Sequence, residues 1–273
     1  MSRIAEVFQS ASRAQRMTFM PFVTAGDPST EGTAAVLKAL RDADVDLIEL
    51  GFPYSDPIAD GPVIQASYTR ALDSGVTVSA ILDMMTSLKN DNLPPVLAMV
   101  SFAIIFRFGS ERFVKLAAES GFSGLIIPDL PADEAEDIQA LARKRARSCS
   151  AGGSDDRAGP SSADSERLHG ICLLCVGGRD DRSSQRTAAG TDPAAAAAAA
   201  VDVPSACGGI RDQWTDQVPA LQGVADGVIV GSAIVRQISE APTVQAACDR
   251  VREFSQAMRT AVGSVKPSLV STT

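Results

Sequence analysis

The chain has 273 residues, of which 45% are hydrophobic, and this fits one large domain over residues 1–273. Its net charge of −8 argues against nucleic acid or an anionic membrane as the main partner, but a local group of backbone amides can still bind a small anion. No stretch approaches the roughly 20 apolar residues of a membrane span. The N-terminus does not resemble a signal peptide, and five cysteines in an unexported chain do not suggest disulfides, so we expect a cytoplasmic protein.

Strand and helix signals alternate along residues 1–145 and return near the C-terminus. Strands are predicted at Thr18–Thr24, Asp46–Leu50, Pro95–Val100, Gly124–Ile127 and Ala225–Val230. Helices are predicted from Ser29 or Thr30 to about Ala43, in patterns up to Asn90, at Ser110–Ser120, from Ala132 to about Arg145, after Gly231-Ser232, and at Thr243–Val262. This alternation favours a parallel sheet built from strand–helix units.

Residues 146–216 break the alternation. They include none of the ten Phe, two Tyr or seven Met, but hold the only His, the only Trp and four of the five Cys. They also carry seven consecutive alanines, Ala194–Ala200. Composition alone favours a disordered insertion here.

The most specific run covers residues 46–65 and reads D-L-I-E-L-G-F-P-Y-S-D-P-I-A-D-G-P-V-I-Q. Glu49 lies at the C-terminal end of a predicted buried strand, where α/β barrels place catalytic groups. A carboxyl among apolar neighbours is suited to proton transfer near neutrality, and Asp60 on the next loop can approach the same cavity. Read alone, Glu49 also fits a solvated strand end, and Asp56 and Asp60 fit ordinary Asp-Pro and Asp-Gly turns.

This run resembles the fingerprint of tryptophan synthase alpha chains, E-L-G-x-P-x-S-D-P-x-A-D-G-P-x-I-Q, at every fixed position. Pro21–Pro28, Ile127–Pro131 and Ala225–Val235 resemble the family's first strand, fourth strand, and eighth strand with its phosphate turn. The resemblance implies a (β/α)₈ TIM barrel. It also implies cleavage of indole-3-glycerol phosphate to indole and glyceraldehyde 3-phosphate, a retro-aldol reaction that needs no cofactor.

The resemblance assigns a role to each candidate site residue. Glu49 is the main acid/base, and Asp60 is the partner of the indole N–H. Phe22 packs on the indole ring. Gly231 and Ser232 hold the phosphate at a helix N-terminus, where free amides and the helix dipole favour an anion. An ordinary helix cap is the alternative for these last two residues.

A partner is implied as well, because the loop around Asp56 would face a tryptophan synthase beta chain in a heterotetramer of two alpha and two beta chains. The family's third strand usually continues as M-x-Y-Y-N-P, whereas Met99–Ile104 reads M-V-S-F-A-I. This departure removes polar groups near the substrate and the partner surface. An impaired chain that only docks on and modulates the beta chain is therefore an alternative, while the run around Glu49 disfavours another phosphate-binding barrel enzyme.

A one-base shift of reading frame explains residues 146–216 better than an insertion does. With suitable codons, residues 146–160, 170–182 and 205–213 then read L-D-L-V-L-L-V-A-P-T-T-G-P, A-F-V-Y-C-V-S-V-A-G-T-T-G and P-L-A-G-F-G-I-S. These stretches resemble the family's fifth, sixth and seventh strands, in order. This chain would then lack those strands, a substrate-facing Tyr and two of three phosphate loops.

We therefore expect residues 146–216 to be irregular and not to form three barrel strands, which would leave the edges of strands four and eight unpaired. Their longest apolar run, Ile171–Val176, is broken by two Cys. Cys172 and Cys175 have the spacing of half a zinc site, but a second pair with this spacing is lacking, so no metal is expected. This chain should be aggregation-prone and nearly inactive.

Overall fold

The computed structural model describes residues 2–57, 60–150, 172–174, 200–202 and 226–265. In the N-terminal half the elements are α1 (Arg3–Arg13), β1 (Thr18–Thr24), α2 (Thr30–Asp42), β2 (Ile48–Gly51), α3 (Pro62–Asp73), α4 (Val78–Ser87), β3 (Val96–Met99), α5 (Phe102–Phe108), α6 (Ser110–Glu119) and β4 (Gly124–Ile126). The later elements are α7 (Ala132–Ser150), β5 (Cys172–Leu174), β6 (Ala200–Asp202), β7 (Gly227–Val230), α8 (Ser232–Ser239) and α9 (Val244–Gly263).

The described strands form one parallel sheet in the order β5-β4-β3-β2-β1-β7-β6. Strands β1 to β5 are neighbours in the sheet in the order in which they follow in the chain, and β7 returns to β1 with Phe19 opposite Val228. A (β/α)₈ barrel has this order. Within the described residues, no pairing joins β5 to β6 at the two ends of the sheet.

The sheet is apolar on both faces, which is why its strands read as short continuous apolar runs. All seven residues of β1 are buried. On one face Met20 packs with Leu47 and Leu97, while on the other Phe19 and Val23 belong to the larger core between the sheet and the helices. The first face is the interior of the barrel.

Helix α1 covers the interior at the N-terminal ends of the strands, and the sequence pattern did not predict this helix. The Ser2 Oγ accepts a hydrogen bond from the Ala5 backbone N–H at 3.2 Å, which caps the helix. Ile4 is buried against Met20 and Leu47. The opposite, C-terminal ends of the strands are left for the site.

Strand β1 confirms the predicted bounds, whereas β2 begins two residues later than predicted because Asp46 has a structural role. The Asp46 carboxylate accepts hydrogen bonds from the Phe19 backbone N–H at 2.9 Å and from two Arg16 nitrogens at 3.1 and 2.8 Å. This carboxylate therefore fixes the start of β1 against the start of β2.

The fourth and eighth strands predicted from the sequence are β4 and β7 of the structure, and the expectation that their edges are unpaired is wrong. Cys172–Leu174 pairs with β4, and Ala200–Asp202 pairs with β7. A parallel edge offers unpaired N–H and C=O groups, and a three-residue strand needs only a short apolar stretch to use them. The Cys-Leu-Leu stretch belongs to the longest apolar run of the segment, and Val201 is β-branched.

Residues 146–150 continue α7. Apart from these residues, β5 and β6, the segment 146–216 lies outside the described residues. The predictions that it is irregular and lacks a third strand therefore stay predictions.

Candidate active site

Glu49 faces the barrel interior near the C-terminal end of β2. It is 5% exposed and lies in register with Phe22 of β1 on one side and Leu97 of β3 on the other. Because side chains alternate along a strand, Glu49 shares this face with Gly51. Its burial excludes the alternative of a solvated strand end.

Phe22 forms an apolar wall beside Glu49. It is buried in a cluster with Ile64, Tyr68 and Val235. A Cβ atom on Gly51 would lie 2.6 Å from the Phe22 Cε2 and 3.0 Å from the Tyr68 Oη, so only glycine allows both rings to approach this strand end. The result is an aromatic surface next to a buried carboxyl.

Asp60 is carried by a loop that the side chain of Gln65 holds in place. The Gln65 Nε2 donates to the Asp60 carbonyl at 2.7 Å and to the Pro57 carbonyl at 3.1 Å. The Asp60 backbone N–H also donates to the Pro57 carbonyl at 3.1 Å. Gln65 lies in the first turns of α3, so this helix sets the position of the Asp60 main chain.

The charge of Asp60 acts on two tyrosines, Tyr54 and Tyr68, and the sequence pattern did not identify either of them. The rings of Tyr54 and Tyr68 are 5.5 Å apart. Burial raises the pKa of Tyr68 well above its usual value. The charges of Asp60, Tyr54 and Glu49, in that order, raise it further. Both predicted catalytic carboxyls therefore lie around one buried phenol.

Tyr54 sits among carboxylates. Burial first, and then the negative charges of Asp60, Asp129 and Asp56 in that order, together raise its pKa to about 12. Its phenol is consequently a protonated donor across the neutral range.

Gly231 brings the N-terminus of α8 to the same strand ends. A Cβ on Gly231 would be 3.6 Å from the Phe22 Cβ and 3.7 Å from the Ile64 Cδ1. Among the described residues, no side chain makes a capping hydrogen bond to this helix N-terminus. Gly231 is therefore beside Phe22, and the first turn of α8, with its free backbone amides, begins directly after the C-terminal end of β7.

Comparison with known proteins agrees with this geometry. The family model described as "Tryptophan synthase alpha chain" matches residues 8–150. The chain is 34% identical over 282 residues to the tryptophan synthase alpha chain of Rhodopirellula baltica, covering 96% of this chain and 99% of that one. This chain belongs to the tryptophan synthase alpha chain family.

The fold is shared with solved members. The crystal structure of the tryptophan synthase alpha chain from Legionella pneumophila superposes with a TM-score of 0.71 at 22% identity, covering 100% of both chains. The predicted (β/α)₈ TIM barrel is thereby confirmed.

The likeness is uneven along the chain. The alpha chain of Thermosynechococcus vestitus is 48% identical over 138 residues, which is 50% of this chain and 52% of that one. The family-model match ends at residue 150, close to Ala146, where the composition changes.

The departure from the tryptophan synthase pattern after β3 has a defined structure. The Ser101 Oγ donates to Asp129 Oδ2 at 2.6 Å, and the Phe102 backbone N–H donates to Asp129 Oδ1 at 2.7 Å. Ser101 also caps α5, because its Oγ accepts a hydrogen bond from the Ala103 backbone N–H at 3.3 Å. Sequence reasoning missed this helix, although a Ser before an apolar run is a capping signal. A polar anchor thus remains between the ends of β3 and β4.

Among the described residues, no group of three or more His, Cys, Asp and Glu side chains is arranged to hold a metal ion. Cys175 and His169, which bear on the zinc question, lie outside the described residues. In the part of the chain that the structure describes, no helix combines the length and the apolar character needed to cross a membrane.

Proposed function

We propose that this chain is the alpha subunit of tryptophan synthase, a lyase that cleaves indole-3-glycerol phosphate to indole and glyceraldehyde 3-phosphate. The observation that carries the proposal is the buried Glu49 carboxyl at the C-terminal end of β2, beside the aromatic wall of Phe22 and in one site with Asp60. A proton-transfer group, a surface for a flat ring and a neighbouring carboxylate are what the reaction requires.

In the proposed reaction, Glu49 protonates carbon 3 of the indole ring and then accepts the proton of the hydroxyl on the adjacent side-chain carbon. The bond between these two carbons breaks, the hydroxyl carbon becomes the aldehyde of glyceraldehyde 3-phosphate, and the electron pair returns to the ring. The ring is positively charged after protonation. The Asp60 carboxylate, accepting the ring N–H, stabilises that charge.

Phe22 and the start of α8 are proposed to place the substrate. The ring packs on Phe22, and the phosphate meets the amides of Gly231 and Ser232 at the N-terminus of α8. Because Gly231 lies next to Phe22, a ligand in this site can touch both groups at once.

Turnover of indole-3-glycerol phosphate tests the proposal, measured as indole release by a chain whose residues 146–216 are replaced with the shifted-frame sequence. Glu49→Gln keeps the shape of the side chain but removes proton transfer, so we expect kcat to fall by roughly 10²- to 10⁴-fold with the fold intact. Glu6→Gln makes the same change at an exposed site on α1 and should have no effect. Near-normal indole release by Glu49→Gln would overturn the assignment.

Members of this family partner with a beta chain. We propose that this chain acts in the cytoplasm in a heterotetramer of two alpha and two beta chains. In support, Ser55 and Asp56 are exposed on the loop after β2, and Phe106 on α5 is 68% exposed. Co-purification with a beta chain, or a stimulated rate on adding one, is the expected result, and no association at micromolar concentration would contradict it.

A further inference from the structure

Tyr68 lies in the middle of α3, with its ring inside the barrel mouth. It is 1% exposed and packs with Phe22, Ile64 and Val235. Its Oη reaches the inner face of β2, since it is 3.0 Å from the position that a Cβ on Gly51 would take. The hydroxyl therefore approaches the same strand face that carries the Glu49 carboxyl.

This hydroxyl has no hydrogen-bond partner among the residues that the structure describes, although it is buried. Other buried hydroxyls of the same region are satisfied, since the Thr24 Oγ1 and Ser67 Oγ are 2.6 Å apart and hydrogen-bonded. Buried polar groups are nearly always paired, so an unpaired donor facing a binding site points to an acceptor that is brought into place with the ligand.

The position of Tyr68 on α3 identifies that acceptor. Gln65, which holds the Asp60 main chain, precedes Tyr68 by three residues, so both side chains lie on one side of the helix. Asp60 is also the charged group with the largest effect on the Tyr68 phenol, ahead of Glu49. One helix therefore anchors the Asp60 backbone and carries the phenol that the Asp60 charge affects most.

We propose that Tyr68 is a positioning residue for Asp60, and that its hydroxyl donates a hydrogen bond to the Asp60 carboxylate when an indole ring occupies the site. This inference rests on the proposed function. The bond directs the carboxylate toward the ring N–H and favours its charged form, because a hydrogen bond to a carboxylate stabilises the ionised state.

The test is indole binding by the full chain, measured by calorimetry across a range of pH, for the unaltered protein, Tyr68→Phe and Ser255→Ala. Ser255 is the matched control, because its buried hydroxyl also lacks a partner among the described residues but lies in α9, outside the site. We expect Tyr68→Phe to weaken indole binding about tenfold, as is typical of hydrogen bonds to charged groups. The acid limb of binding should move to higher pH, with the melting temperature unchanged or raised.

The groups that face Tyr68 and Asp60 and also titrate are Glu49 of β2, Tyr54 and Asp56 of the loop, and Asp129 after β4. They are common to all three proteins, so a change confined to Tyr68→Phe reports the lost hydroxyl. Equal affinity and an equal pH dependence in Tyr68→Phe and the unaltered chain would overturn the inference and leave the proposed function standing. If the unaltered chain does not bind indole, the same three proteins are compared with residues 146–216 replaced by the shifted-frame sequence, and no indole binding there would overturn both.

Discussion

Strand β1, which lies outside residues 146–216, differs in length and in sequence from the two strands inside that segment. Strand β1 has seven residues, T-F-M-P-F-V-T, all buried. Strands β5 and β6 have three residues each, C-L-L and A-V-D, and attach to the edges formed by β4 and β7. The comparison teaches that a parallel edge recruits a short apolar stretch, while a long strand needs a continuous apolar run of its own.

The chemistry divides along the same boundary. Glu49, Asp60 and Phe22 precede the segment, and Gly231 and Ser232 follow it. The remaining phosphate loops that the family resemblance implies fall inside it. The residues outside 146–216 therefore contain the proton-transfer groups. The segment itself is predicted to weaken substrate binding and to prevent barrel closure.

The largest expected effect comes from replacing residues 146–216 with the shifted-frame sequence. We predict that kcat/KM for indole-3-glycerol phosphate rises by roughly a hundredfold or more, because phosphate contacts orient the substrate and a closed barrel excludes water. Indole release by the two chains measures this. The control is a chain with the same composition in which residues 146–216 are scrambled. We call the chain with the shifted-frame sequence the restored chain. Equal turnover by the original chain and the restored chain would show that residues 146–216 do not limit the reaction.

A smaller loss is expected for Asp60→Asn in the restored chain. An amide cannot offset the positive charge that develops on the ring, so we predict that kcat falls by about 10- to 100-fold while KM changes little. Asp56→Asn is the matched control, because it makes the same change at an exposed position of the same loop. In assays without a beta chain it should behave as wild type. A similar kcat for both variants would show that Asp60 does not act on the reaction.

A still smaller effect is predicted for Gln65→Leu, again in the restored chain. The change removes the hydrogen bonds to the Asp60 and Pro57 carbonyls, and each such bond contributes about 1 kcal/mol, so kcat should fall severalfold as the Asp60 loop loosens. Gln245→Leu removes an exposed glutamine that hydrogen-bonds Asp249 on α9 and should leave kcat unchanged. If both variants turn over normally, Gln65 is dispensable for positioning Asp60.

Features that depend on the local pattern of apolar residues can be predicted from the sequence. Thr18–Thr24 is apolar without a break and was placed correctly, and Glu49 was placed at the end of β2 because the apolar run stops at Gly51. Sequence reasoning missed α1, whose first turn depends on the Ser2 cap and on packing under the strands. The role of Tyr68 was also invisible, because it depends on how α3 lies across β2.

The wrong expectation about the sheet edges has a related cause. The length of an apolar run predicts only a strand that can form alone. The pairing of Cys172–Leu174 with Gly124–Ile126 depends instead on an edge already built by other residues. A pattern within one segment carries no information about the edge that another segment leaves open.

The smallest expected effect concerns folding and not activity. It tests whether the residues outside 146–216 fold independently of that segment. The chain has two tyrosines, Tyr54 and Tyr68, and both lie outside the segment. We predict that neither ionises near its usual pKa of 10.0 in the native chain, because burial and the neighbouring carboxylates raise the pKa of Tyr54 to about 12 and that of Tyr68 well above its usual value. Phenolate absorbance during alkaline titration measures both. In denaturant, both should titrate normally.

The sign of the linkage gives the same experiment a second readout. Since the pKa of Tyr54 is higher in the folded chain than in the unfolded chain, the folded state holds the proton more tightly. The resulting stability is fully present below pH 10.0 and is lost as the pH rises toward about 12. Tyr54→Phe should therefore lose less stability between pH 10.0 and about 12 than the unaltered chain, with the same stability at neutral pH. A phenolate that forms near pH 10.0 in native buffer, in this chain but not in the restored one, would mean that the two regions do not fold independently.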